Sequence, residues 1–390
     1  MPSPALLIFF TVFIDLIGFG IVLPLLPSYA ASFHVNEVAI GMLVASFSLM
    51  QFLLAQWWGR LSDRVGRRPV LLVGLLGSAL SYLLFGLAGS FVVLLFSRLI
   101  AGGMGATVNV AQAYLADVTP PEERPKAMGM IGAAFGLGFV VGPALGGISS
   151  HWGPAAPGFL ASALTSANLL LAWRWLPESR RAAPSAVEKV PVHWSRFMLA
   201  FGAVAFSTIA FTVMYVIFPL EVEHALGYDR DHTAYLFVLI GLVSAAVQGG
   251  LVGRLVPRFG ERALIAVGGA LLAGGLVALA GALGPLKGMG HGALLYGSLL
   301  SLAFGSALIG PSAASYVSRI APSDEQGRAL GLMQSVGAMA RIGGPILAGT
   351  VASRFGATAA FLVAGGAAAG ASLSTLFNAD GRRGVPSGSR

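Results

Sequence analysis

The chain has 390 residues, of which 56% are hydrophobic and only 10% charged, too few ionic groups to solvate a water-soluble particle of this size. A net charge of +8 would suit a nucleic-acid binder, but the cations are scattered over short loops rather than gathered into one patch. The absence of cysteine excludes disulfides, thiolate metal sites and thiol nucleophiles together.

Twelve apolar segments follow one another, at 7 to 28, 38 to 58, 69 to 90, 92 to 115, 126 to 148, 157 to 176, 196 to 218, 232 to 253, 262 to 284, 291 to 316, 328 to 350 and 357 to 377. Each is long enough, at about 1.5 Å rise per residue, to cross a hydrocarbon core of about 30 Å. Nothing suggests the short alternating strands of a membrane barrel. The pattern predicts an all-α integral membrane protein of twelve transmembrane helices. With the N-terminus inside, the cytoplasmic loops and tail hold 19 of the 24 Lys and Arg residues, and the other side holds only Arg230, Lys287 and Arg354. That is the positive-inside asymmetry, and it puts both termini in the cytoplasm. The first run has no cationic flank and carries an acid in its middle, so it reads as a retained helix rather than a cleaved signal.

In the first helix, Asp15 stands roughly a third of the way through the membrane, followed by Gly18, Gly20, Pro24 and Pro27, which loosen the helix. A charge at a helix centre costs about 2.5 to 3.5 kcal/mol to insert on translocon scales, so such an acid needs a reason. One reason is proton carriage; the other is a structural acid bonded to backbone opened by Gly18 and Pro24.

Between the second and third helices the chain reads Gly-Arg-Leu-Ser-Asp-Arg-Val-Gly-Arg-Arg-Pro, from Gly59 to Pro69. Asp63 can accept from the N-terminus of the eleventh helix near Gly327, and Arg67 can bridge Asp63 to Asp117 at the end of the fourth. The alternative is a solvated loop cluster.

The fourth helix carries Arg98, Gly102, Gly105, Asn109 and Gln112 at steps of four, three, four and three, which predicts one polar stripe. Such a stripe lines a wet cavity or a partner helix, unless Arg98 snorkels to the outer surface. The fifth helix holds Gly138, Gly142, Pro143, Gly146 and Gly147, small residues that permit close helix contact, here expected between the halves of the molecule. The seventh carries Thr208, Thr212, Tyr215 and Pro219, with Gln51, Ser244, Gln248, Ser301 and Ser312 as further candidate lining residues. Arg341 of the eleventh helix shares a stripe with Gln334 and Pro345. Turned to the cavity together with Arg98, it would favour an anionic or zwitterionic substrate; otherwise it bonds backbone carbonyls or a carboxylate across the interface.

The chain repeats itself. Ala116 to Gly129 returns as Ser318 to Gly331, and the opening loop has an echo in Gly253, Arg254, Leu255, Arg258, Gly260 and Arg262, with Pro257 where the first has Asp63. Two six-helix halves that rock about a site near the midplane fit this repeat. The expected domains are 1–176 and 196–377, joined by a Pro, Ala and charge-rich cytoplasmic linker at 177–195 and followed by a tail at 378–390.

The loop from Gly59, with Asp63, Arg64, Gly66, Arg67 and Arg68, resembles the signature loop of major facilitator superfamily transporters. Asp15 through Gly147 is similar to the drug:proton antiporter group, most of all the tetracycline/proton antiporters, and Gly138 with Gly142-Pro143 and Gly146-Gly147 resembles the antiporter motif. The resemblance implies the two-bundle major facilitator fold. It also implies a bacterial inner-membrane location and a coupling role for Asp15 and Arg98. Gly59, Asp63, Arg64, Arg67 and Asp117 would be gate residues that latch the outward-open state. Ser81 stands where tetracycline exporters carry an acid, and the ninth helix lacks the acid those exporters have within it, so another amphipathic compound is the better expectation.

The resulting expectation is a monomeric, proton-coupled exporter of a small amphipathic organic compound, working by alternating access with protons and lipid as its other partners. It needs no cofactor, no metal ion and no nucleic acid. A metabolite or organic-anion carrier without obligatory proton exchange is the alternative. No convergent nucleophiles, His pairs or carboxylate clusters at membrane depth point to an enzyme.

Overall fold

The computed structural model describes residues 4–105, 107–119, 124–179, 197–284, 291–321 and 326–375. The expected tail lies outside these residues, as does the linker from residue 180 onward. Among the described residues all regular structure is helical, as a bilayer demands of a backbone that must satisfy its own polar groups.

In the N-terminal half, the first span is α1 (Pro4–Val22), with a short α2 (Leu26–Ala31) beyond it. Pro24 and Pro27 separate the two where the sequence suggested one run. Spans two and three are α3 (Glu37–Val65) and α4 (Arg67–Gly86), meeting at Gly66, whose φ of 110° only glycine adopts easily. The fourth span is divided into α5 (Phe91–Met104) and α6 (Thr107–Val118); the fifth and sixth are α7 (Arg124–Ser150) and α8 (Ala156–Trp175).

The C-terminal half opens with a seventh span in pieces: α9 (Met198–Phe211), α10 (Val213–Val216) and α11 (Phe218–Leu226). Next comes α12 (Arg230–Ala246), capped by Asp229, whose side chain accepts from the His232 N–H at 2.9 Å. That backbone donor, reinforced by the His232 ring, holds the Asp229 carboxyl below its ordinary range. A π-helical turn, Val247–Leu251, leads into α13 (Val252–Leu283), which kinks at Gly260 with φ of 76°. Gly260, with ψ of 157°, has left the helical region as Gly66 does, so the predicted break between the eighth and ninth spans is present there. The last spans are α14 (His291–Ile320), α15 (Gln326–Phe355) and α16 (Ala357–Leu373).

The two halves meet along α3 with α15 and α7 with α12. A Cβ added at Gly41 would run into the Pro345 carbonyl, and one at Gly349 into that of Glu37. Across the second seam, a Cβ at Gly147 would stand 2.7 Å from that of Ala234. All these contacts lie at the end remote from the basic loops. At the other end of the helices, a Cβ at Gly59, Gly250 or Gly331 would meet nothing within 4 Å. Its outer faces carry exposed Leu53, Trp57, Leu80, Val92, Leu170 and Val277, an apolar surface suited to acyl chains.

Candidate functional site

The basic end is organised by carboxylates. Arg67, at the start of α4, pairs with Asp63 one turn before it and, at 3.1 Å, with Asp117 on α6. Burial opposes its charge, but Asp117 and Asp63 outweigh burial and raise its pKa. Arg67 also donates to the Ser62 hydroxyl at 2.7 Å. The bridge from Asp63 to Asp117 expected of Arg67 is therefore in place, while the expected Asp63–Gly327 contact lies outside the described side chains. Arg64 is exposed at the C-terminal end of α3, and the side chain of Asp63 is 59% exposed.

Glu178, which sequence reasoning missed, completes this end. Its carboxylate accepts from the backbone N–H groups of Arg67 at 2.8 Å and Arg68 at 3.2 Å, capping α4 from beyond α8. An anion at a helix N-terminus satisfies orphan donors and opposes the helix dipole. Tyr114 donates to the Pro177 carbonyl at 2.9 Å, fixing the same segment. The missing signal was long-range: 111 residues separate Glu178 from the N–H it caps.

The polar stripe of the fourth span does not run unbroken. The helix ends at Met104 and restarts at Thr107, because Gly102-Gly103-Met104-Gly105 offers little to hold it and side chains of α3 take its carbonyls. Trp58 Nε1 donates to Gly103 O at 2.6 Å and Gln51 Nε2 to Gly105 O at 3.2 Å. Arg98 is consequently 2% exposed, whereas Asn109 and Gln112 lie on the exposed face of α6 and line neither of the cavities described below. Gly102 packs against the backbone of Phe47.

The break has a second effect: it brings Thr107 beside Asp15. The hydroxyls of Ser78 and Thr107 flank the Asp15 carboxyl, whose Oδ1 is buried without a hydrogen-bond partner. Tyr82 lies within electrostatic reach of both Asp15 and Arg98. The Arg98 guanidinium sits over the rings of Tyr82 and Phe85, 5.8 and 5.5 Å from their centroids, so aromatic faces supply part of its stabilisation. Among the described residues Asp15 and Arg98 form no ion pair; Tyr82 is near both. Neither Tyr82 nor Phe85 was singled out by sequence, since an aromatic on an apolar helix is ordinarily packing. Ser81, in turn, bonds within its own helix, donating to Ser78 O at 2.8 Å.

Between the halves lie two neighbouring cavities of about 330 and 290 Å³ that share Leu23, Phe211, Tyr215 and Ser306 in their walls. The larger is lined by Arg98 from one half and by Arg341, Thr208, Thr212 and Tyr215 from the other. The smaller adds Ser244 and Gln248, with Pro143 from α7. Arg98 Nη2 is buried without a hydrogen-bond partner. The seventh span is broken here, and Thr212 donates back to Ile209 O at 2.6 Å. Gln51 is spent on the α5 break, and Gln334 is exposed outside both cavities. Ser301 donates to Leu271 O at 2.9 Å and lines neither cavity, and the Ser312 hydroxyl is buried without a partner.

The glycines of α7 divide between two faces. Gly138, Gly142 and Gly146 pack against Leu16, Gly20 and Ile21 of α1, inside the N-terminal half, rather than between the halves as the sequence suggested. Gly147 meets Ala234 across the seam. Helical spacing put all of them at close contacts, but it cannot tell which neighbour each one meets.

A helical bundle with a lipid-facing exterior and a cavity between its halves fits a membrane transporter. The family model of the Major Facilitator Superfamily matches residues 8–342 and 200–389, and the chain belongs to that family of twelve-helix, two-bundle transporters, which are not enzymes. It is 34% identical over 352 residues to the class C tetracycline resistance protein of Escherichia coli, covering 86% of each chain. To multidrug resistance protein 2 of Bacillus subtilis strain 168 it is 30% identical over 358 residues, 87% of this chain and 86% of that one. The crystal structure of the human organic anion transporter MFSD10 superimposes with a TM-score of 0.72 at 26% identity, covering 96% of this chain and 100% of the other.

Proposed function

We propose that this transporter exchanges protons for a small amphipathic organic compound and exports it, its two halves rocking about the central cavity. The observation that carries the reading is Asp15: a carboxyl at membrane depth with one oxygen sealed and unpartnered, linked through Tyr82 to an arginine in the cavity wall. A site that gains or loses a proton there changes the field felt by Arg98, and through it the cavity. Relatives named for tetracycline and multidrug resistance support an amphipathic cargo and outward transport. On this reading the basic end is cytoplasmic, and both termini lie inside a bacterial inner membrane. The working unit is a monomer of bundles 1–176 and 196–377 with the linker and tail on the same side. Gly59, Asp63, Arg64, Arg67 and Asp117 act as the cytoplasmic gate.

The test is Asp15→Asn in proteoliposomes under an imposed pH gradient. Uphill accumulation is expected to vanish while exchange of substrate for substrate continues. Accumulation at the wild-type level would refute the coupling role.

A second reading, an organic-anion carrier without obligatory proton exchange, is favoured by Arg98 and Arg341 lining one cavity and by the likeness to a human protein described as an organic anion transporter. Proton flux recorded beside substrate flux separates the two: a fixed ratio supports exchange, and substrate flux without proton movement supports the carrier.

A further inference from the structure

In an unbroken helix the Gly103 carbonyl would accept from the Thr107 N–H, four residues on, and the Gly105 carbonyl from the Asn109 N–H. In this chain the first accepts instead from Trp58 Nε1 at 2.6 Å and the second from Gln51 Nε2 at 3.2 Å. α5 ends at Met104, Gly105 leaves the helical region at ψ of 41°, and α6 begins at Thr107. A backbone carbonyl at membrane depth is costly to leave without a donor, so a span stays broken only where other groups supply the hydrogen bonds.

The two donors come from one surface of α3. Phe47, Gln51, Leu54 and Trp58 follow at steps of four, three and four and so share a helical face. The end of α5 lies against it: a Cβ at Gly103 would stand 3.4 Å from Leu54, and one at Gly105 would stand 3.4 Å from the Gln51 amide. Trp58 is 6% exposed, and its ring belongs to the same core as Val12 and Leu16 of α1 and Val110 and Tyr114 of α6. A buried indole N–H can only donate, so it needs an acceptor, and the acceptor here is the one that Thr107 would otherwise use.

Thr107 is 1% exposed, and its hydroxyl points at the proton site from a second direction as well. A Cβ at Gly74, one turn before Ser78 on α4, would lie 3.4 Å from the Thr107 hydroxyl oxygen, so that hydroxyl faces α4 next to Ser78, where the Asp15 carboxyl also lies.

We infer that Trp58 is a positioning residue for the Asp15 site: by holding the Gly103 carbonyl it keeps the fourth span broken, and the break sets Thr107 beside Asp15. The inference rests on the proton role proposed for Asp15. Ser78 and Tyr82 of α4 and Thr107 of α6 face that carboxyl, and Arg98 of α5 is near Tyr82. α7 and α8 bring Gly138, Gly142 and Asn168 against α1, and none of these titrates.

The test replaces Trp58 by benzothienylalanine, which keeps the shape of the ring and removes its N–H, with Trp58→Phe beside it. Two readouts on protein in lipid nanodiscs need no substrate. Amide exchange of a peptide spanning residues 103–109 is expected to slow about two- to tenfold as the Thr107 N–H pairs with Gly103, the worth of one net hydrogen bond. The infrared carbonyl band of protonated Asp15, identified by its loss in Asp15→Asn, is expected to change its titration midpoint by about one pH unit. Thr107→Val should move the midpoint to the same side, and the double variant no further than the larger single change. Unchanged exchange and midpoint in the benzothienyl variant overturn the inference. So does slower exchange with an unmoved midpoint, or a shift in Trp58→Phe alone, which would leave Trp58 only a packing role. Additive shifts in the double variant overturn it too, because Trp58 would then act by a route other than Thr107. The band reports Asp15 whatever is transported, so a loss of proton coupling and a loss of this inference are read separately. Size-exclusion elution and thermal unfolding of each variant confirm that the spectra belong to folded protein.

Discussion

His151 at the end of α7 and Asp231 at the start of α12 join the two halves, with Nε2 2.7 Å from Oδ2. Ser150 donates to the other Asp231 oxygen at 3.2 Å, and Gly147 beneath them lets the helices approach. This polar clasp lies at the far end, where the halves meet, so it stabilises only the conformation that is closed there. Asp231→Ala is expected to raise the population open at the far end about two- to fivefold, the worth of a half-exposed pair plus a hydrogen bond. Labelling rates of single cysteines placed beside the seam would report it. Rates equal to those of the parent would show that the clasp contributes nothing to the equilibrium.

Arg98 and Arg341 approach one cavity from opposite halves, and its remaining wall is mostly apolar or hydroxylic. An amphiphile with one carboxylate can put its anion between the guanidiniums and its apolar body against Phe19, Phe47 and Phe211. Arg341→Ala is expected to weaken binding of such a ligand about 10- to 100-fold, the worth of a charge-assisted hydrogen bond of about 1.5–3 kcal/mol. A neutral amphiphile of the same shape should lose far less. Equal losses for both ligands, measured by calorimetry on purified protein, would remove charge recognition from Arg341.

Tyr82 lies within electrostatic reach of both the proposed proton site and the cavity arginine. Its ring also fills the space beside Gly18, where an added Cβ would come within 2.9 Å of it. Tyr82→Phe keeps the ring and its contact with Arg98 but removes the hydroxyl. If the hydroxyl carries coupling between Asp15 and Arg98, the variant should bind substrate normally and transport fewer protons per substrate. If the ring alone matters, stoichiometry will match the parent.

Some of this architecture was legible in the residues and some was not, for physical reasons. Membrane spans are set by length and hydropathy, both local, so the spans and the repeat could be read directly. Arg67 with Asp63 is a one-turn spacing and was equally accessible. Breaks within spans were harder, because whether Gly105 ends a helix depends on Gln51 and Trp58, more than forty residues earlier, taking the freed carbonyls. That tertiary override interrupted the helix between Arg98 and Asn109 and delivered Thr107 to Asp15. Glu178 escaped notice for the same reason: a lone acid after a helix has many uses, and only the folded chain brings it to the start of α4.

Glu178 accepts from two backbone N–H groups at the start of α4, and its oxygen would stand 2.5 Å from a Cβ at Gly66. Glu178→Gln removes the charge while keeping the shape. The helix dipole contribution of about 0.3–1 kcal/mol is expected to go, lowering the unfolding midpoint in detergent slightly and more at low salt. Glu178→Ala also removes the capping acceptor and should cost about 1 kcal/mol more. A midpoint insensitive to both would mean that water caps the helix equally well.

Gly142 offers the sharpest packing test, because the atoms facing it belong to backbone. A Cβ there would lie 2.7 Å from the Gly20 Cα and 2.9 Å from the Ile17 carbonyl oxygen, and neither can move without shifting α1. α1 carries Asp15, so such a shift reaches the proposed proton site as well as the packing. Gly142→Ala is expected to cost about 1–3 kcal/mol, the usual range for overpacking. It should also impair pH-driven transport more than substrate binding. Gly366→Ala is the matched control, since a Cβ there meets nothing within 4 Å and alanine is the better helix former. Comparing unfolding midpoints of the two variants separates steric displacement from the general effect of replacing glycine in a helix. Equal midpoints would mean that α1 accommodates the methyl group by relaxing, and the close α1–α7 approach would then not require glycine.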